Sequence, residues 1–90
     1  MPQEIRDALD WIFQQPLRQI PVLLKILQIV RRQQRGIPRD LGLLPREVQP
    51  WLEWDLAEQT VRRFMAMLWR AGLLERIGGE GARRGYRVAV

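Results

Sequence analysis

Ninety residues with 47% hydrophobic side chains are enough for one domain with a small core. The chain has no Cys, no His and no Ser, which excludes disulfides, thiol and Ser-His-Asp nucleophiles, the usual zinc ligands and the commonest general base. The net charge of +5 is uneven: residues 1–55 carry +1 and residues 56–90 carry +4, seven Arg against three acids, so an anionic partner is expected at the C-terminal end.

Fourteen of the fifteen basic residues are Arg, the side chain suited to bidentate contact with phosphate or guanine. No run of 18 apolar residues and no charged-then-apolar leader occurs. A cytoplasmic protein with no membrane partner is expected, nucleoid-associated when bound. Met1 and the end at Val90 read as a complete chain.

Pro2 suits a first helical turn. Ile5, Ala8, Leu9, Ile12 and Phe13 then follow at offsets 0, 3, 4, 7 and 8, one face of an amphipathic helix. Trp11 falls on the opposite face, where it either lies under a neighbouring loop or anchors a partner. Pro16 and Pro21 bracket a turn. A second helix is predicted from Pro21 to Arg35, ending at Gly36. Its apolar residues Val22, Leu23, Leu24, Ile26, Leu27, Ile29 and Val30 cover most of the circumference, so two sides need cover.

A later helix can cover one side. The other needs the first helix, folded back, or a second copy of the chain. We place the homodimer ahead, with Ile5, Leu9, Trp11, Ile12, Phe13, Leu23, Ile26 and Val30 as its interface. Arg31, Arg32 and Arg35 complement the helix dipole.

Ile37 to Pro45 is a connection with room for one short strand, and Pro45 to Trp54 a shorter helix. An interior proline costs ~3 kcal/mol, so Pro50 predicts a kink, or a start near Gln49. Trp51, Leu52 and Trp54 are read as its buried side. From Leu56 to Arg76, apolar Leu56, Val61, Phe64, Met65, Leu68, Trp69 and Leu73 form a stripe at helical period, with Glu58, Gln59, Arg62, Arg63 and Arg70 off it. Asp55 is the expected N-cap and Gly72 the stop. Leu73 to Ile77 reads as a strand, Gly78, Gly79 and Gly81 as a break, and Tyr86 to Val90 as a second strand. The four Trp are assigned mainly to packing positions.

Leu44 to Met65, LPREVQPWLEWDLAEQTVRRFM, resembles the helix-turn-helix of GntR-type winged-helix regulators. That family reads roughly L-P-S-E-R-E-L-A-x-x-L-G-V-S-R-x-T-V-R-x-A-L, then L-x-x-x-G-L-L. The match is carried by Leu44, Pro45, Glu47, Thr60, Val61 and Arg62, continued by Leu68, Gly72, Leu73 and Leu74. Asp55 replaces the family's turn glycine, Ala57 its phosphate-binding serine and Glu58 its arginine. The resemblance implies a mostly α fold with a small β-hairpin: a winged helix-turn-helix with an extra N-terminal helix. Residues 1–90 are one domain, divided into 1–20 (N-terminal helix and turn, a possible dimer element), 21–77 (three-helix core) and 78–90 (wing).

A recognition helix of this kind would offer Glu58, Gln59, Thr60, Arg62, Arg63 and Met67 to DNA, with Arg76, Arg83, Arg84 and Arg87 on the wing. Gln59 can pair with adenine and Arg63 with guanine, while Thr60 and Arg62, by analogy, would hold phosphate. The bland alternative for the helix is a solvated polar face, and for the wing arginines a charged edge that resists pairing. The expected function is sequence-specific double-stranded DNA binding by a small homodimeric transcriptional repressor, with no catalytic residue, metal, cofactor or small-molecule effector. Two alternatives stay open: a winged-helix protein–protein module in a larger assembly, and a replication or partition factor of a mobile element.

Overall fold

The computed structural model describes residues 3–78 and 85–89, apart from the side chain of Ile5. Its elements are α1 (Gln3–Phe13), α2 (Ile20–Gln33), α3 (Pro45–Val48), α4 (Glu58–Arg70), β1 (Leu74–Ile77) and β2 (Gly85–Val88). Short 3-10 turns at Gln34–Gly36 and Gln49–Trp51 follow α2 and α3. The fold is thus mostly helical with an antiparallel hairpin. No helix of the described residues is long and apolar enough to cross a membrane.

Prolines set two of the boundaries. Leu44 is extended, as the residue before a proline prefers to be, and Pro45 opens α3, where its missing N–H costs nothing. The Glu47 carboxylate reaches back to accept the Leu44 N–H at 2.9 Å. Pro50 is accommodated because the α-helix stops at Val48; the proline then starts a 3-10 turn, again needing no donor. Gln49 Nε2 donates to the Leu56 carbonyl at 2.8 Å and ties the loop before α4 to the end of α3.

α4 begins at Glu58, two residues later than its apolar pattern predicts. Ala57 is the N-cap and offers no side-chain acceptor, so Asp55 lies too far upstream to cap the helix. The other end follows expectation. Gly72 has φ +85°. The Leu73 N–H reaches the Leu68 carbonyl at 2.9 Å and the Gly72 N–H the Trp69 carbonyl at 3.0 Å, the paired bonds of a glycine-terminated helix.

In the hairpin, Leu74 opposes Val88, Glu75 opposes Arg87, Arg76 opposes Tyr86 and Ile77 opposes Gly85. Leu43 adds a rung on the other edge of β2, exchanging hydrogen bonds of 2.8 and 2.9 Å with Tyr86. This approach depends on two glycines. A Cβ at Gly42 would fall 2.4 Å from the Gly85 backbone, and one at Gly85 would fall 2.3 Å from Gly42.

The core gathers Ile12 of α1, Leu23, Ile26 and Val30 of α2, Val48 of α3, Val61, Met65 and Leu68 of α4, and Leu73 and Leu74 after it. α2 packs against α1, α3, α4 and β2, so its broad apolar surface is covered within a single copy. The folded-back first helix is therefore the cover, and that surface requires no second copy. Leu24 alone of the seven apolar side chains of α2 from Val22 to Val30 remains exposed.

Three further expectations are corrected. Trp51 and Trp54 are exposed, and Pro45 and Val48 supply the buried side of α3. Phe13 lies on the apolar stripe of α1 yet is 63% exposed, since the helix ends there and the chain turns away. Trp69 lies at the edge of the α4 stripe and is 36% exposed.

Candidate nucleic-acid interface

α4 buries Val61, Phe64, Met65 and Leu68. At 3.6 residues per turn, the side opposite these carries Gln59, Arg63, Ala66 and Arg70, at offsets 0, 4, 7 and 11. Gln59, Arg63 and Arg70 are exposed and Ala66 is partly so. The small alanine between two arginines keeps the middle of this row low. Gln59 and Arg63 also border an open depression of about 270 Å³ with Ala57 and Thr60, at the start of the helix. Arg70 was absent from the sequence-derived site. The seven-residue step from Arg63 was its available signal.

The adjacent row holds Glu58, Arg62 and Trp69. Glu58 accepts an ion pair from Arg62 across one turn, at 3.5 Å. An exposed pair of this kind contributes only ~0.3–0.5 kcal/mol, but it neutralises the one carboxylate on this side of α4. Met67 is partly buried against the core, so it lies beside the outward row and not in it.

β1 delivers Arg76 to the same region. Its guanidinium carbon stands 4.0 Å from the centre of the Trp69 ring and 5.7 Å from that of Tyr86. Arg76 Nη2 donates to the Tyr86 hydroxyl at 3.2 Å. Arg62 and Arg76 line one depression of about 240 Å³ with Leu44, Pro45, Gly85 and Tyr86. Trp69 was read from sequence as a core residue; it is instead the platform on which Arg76 rests.

Arg87, expected on the wing surface, has a different role. Its Nη1 donates to the carbonyls of Pro38 at 3.1 Å and Leu41 at 2.9 Å, and its Nη2 to that of Gln34 at 3.4 Å. The Gln34 side chain in turn accepts the Val88 N–H at 2.8 Å. These bonds fasten β2 to the segment that follows α2 and give Arg87 a structural role. Arg83 and Arg84 lie outside the described residues.

The predicted dimer residues scatter. Ile12, Leu23, Ile26 and Val30 are 0% exposed and inaccessible to a second copy of the folded chain. Leu9 and Trp11 are half-buried, Phe13 is exposed, and the side chain of Ile5 is not among those described. Compared with known proteins, the chain matches no family model, no curated protein and no solved structure.

Proposed function

We propose that this chain is a winged helix-turn-helix protein that binds double-stranded DNA through α4 and the base of its hairpin. The observation that carries this reading is the outward row Gln59–Arg63–Ala66–Arg70, flanked by Arg62 and Arg76 in a shared depression. A helix with such a row fits the major groove, with side chains able to read base edges and guanidinium groups for the backbone. The order α2, Leu43 rung, α3, α4, β1, β2 is that expected of a winged helix. Most of the affinity would come from phosphate pairing and counterion release.

Selection of bound duplexes from a random pool tests the proposal. A recovered consensus supports sequence-specific binding, and recovery no better than the starting pool sinks it. A palindromic consensus would support the repressor acting as a homodimer. For a second copy, Phe13 and Leu17, 63% and 85% exposed, are the two most exposed large apolar side chains among the described residues.

A protein–protein module is the second reading. It is favoured by Trp51, 57% exposed beside Lys25, Gln28 and Arg32, and by Trp54 nearby in sequence. Exposed Trp is enriched where partners dock. Weak, salt-indifferent retention on random duplex would favour this reading over DNA.

A further inference from the structure

We infer that Arg62 and Arg76 form a seat for one backbone phosphate, with Trp69 as the residue that positions Arg76; this rests on the DNA-binding reading and assigns it a fixed anchor. Two arginines, Arg62 and Arg76, line one depression, and its other lining residues, Leu44, Pro45, Gly85 and Tyr86, carry no carboxylate. Like charges facing one space repel unless an anion occupies it. Neither arginine is fully committed to its neighbours. Arg62 gives one nitrogen to Glu58. Arg76 gives one N–H to the Tyr86 hydroxyl and its flat face to Trp69 at 4.0 Å. A guanidinium has five N–H donors, so each retains several for a tetrahedral oxyanion.

The two arginines differ in how firmly they are held. Arg62 lies on a long, exposed side chain, whereas Arg76 is held by a ring stack, a hydrogen bond and its register opposite Tyr86. A donor already held in place loses less side-chain freedom when a ligand arrives. Trp69 therefore contributes to binding without touching the ligand. The seat lies where α4 and the hairpin meet, so an anchored phosphate there fixes the register of the outward row Gln59–Arg63–Ala66–Arg70.

The test uses the full chain, several duplex sequences and a series of salt concentrations. Arg76→Ala is expected to weaken binding by roughly three- to tenfold on every sequence and to reduce the salt slope by about 0.9. Trp69→Leu retains every charge. It should lower affinity severalfold with the slope unchanged. Tyr86→Phe removes only the hydroxyl and provides a milder variant if Trp69→Leu does not fold. A sequence-dependent loss on Arg76→Ala would make Arg76 a base reader and overturn the seat, as would wild-type affinity in that variant.

If the wild type binds no duplex, the DNA reading fails on its own. Inorganic pyrophosphate is then titrated while the Arg76 Nε–H resonance of labelled protein is followed. A saturable shift, lost on Arg62→Ala, upholds a phosphate seat serving another phosphorylated partner. An unmoved resonance overturns it.

Discussion

Arg87 Nη1 donates a 2.9 Å hydrogen bond to the carbonyl oxygen of Leu41, joining the last strand to a segment 46 residues earlier. With the bonds to Pro38 and Gln34 it forms a charged clasp on three carbonyls. Hydrogen bonds to charged groups contribute ~1.5–3 kcal/mol, and the exposed part of the cluster lowers that figure. Arg87→Ala is expected to lower unfolding stability by about 2 kcal/mol in urea titrations. Arg87→Lys should restore little, because an ammonium lacks the planar fork. A neutral outcome for Arg87→Ala would show that the carbonyls are as well served by water.

Removing Arg63 should act on recognition and not on folding. Its side chain is exposed, so Arg63→Ala should leave thermal stability within about 0.5 kcal/mol. On a selected duplex it should cost ~1–3 kcal/mol and relax preference at one base pair. An equal loss on all sequences would make Arg63 a phosphate contact. Arg70→Ala, two row-steps further along, is expected to weaken binding by a smaller amount, because the N-terminal half of such a helix enters the groove most deeply.

The crossing of Gly42 and Gly85 tolerates no side chain. Gly85→Ala would put a methyl group 2.3 Å from the Gly42 backbone, and backbone cannot swing aside as a flexible side chain does. Overpacking of this kind costs ~1–3 kcal/mol or more. Gly72→Ala meets no neighbouring atom but must hold φ +85°, at ~1–2 kcal/mol. Gly85→Ala should therefore lower the melting temperature at least as far as Gly72→Ala. The reverse order in a calorimetric comparison would refute the close approach.

The internal position of α2 gives a prediction about assembly. Leu23→Ala should cost ~2–5 kcal/mol whatever the protein concentration, because Leu23 is covered by its own chain. Phe13→Ala with Leu17→Ala should leave monomer stability nearly unchanged. If two copies associate through these side chains, the double variant should sediment as a monomer where the parent does not. Concentration-dependent melting of Leu23→Ala alone would return α2 to an interface between copies.

Helices, the α4 stop and the hairpin strands were legible because each rests on local rules. Apolar spacing gives α1, α2 and α4, and Gly72 terminates a helix by its own conformational freedom. Pro50 marked a break, but in place of the expected kink or late start the α-helix stops at Val48 and a 3-10 turn follows. Burial at element ends was not legible. Trp51 and Trp54 are apolar enough for a core, but whether anything covers them depends on where distant segments run. Arg87 was misassigned for a similar reason. Its partners are main-chain carbonyls, a group every residue carries, so no residue type marks them in the sequence. Among the site residues on α4, Gln59, Arg62 and Arg63 were legible, Arg70 was missed and Met67 proved to be partly buried, while the stack of Arg76 on Trp69 required the hairpin to return against the helix.

The rung between Leu43 and Tyr86 has a consequence for biosynthesis. During translation, every residue from Leu43 to Tyr86 must leave the ribosome before Leu43 meets its mate, and α2, α3 and α4 precede Tyr86 in the chain. Contacts so far apart along the chain form slowly. The hairpin should accordingly be the last part to lock in place, and a transcript cut short before Tyr86 would yield clustered helices with Leu43 and β1 left without their partner strand.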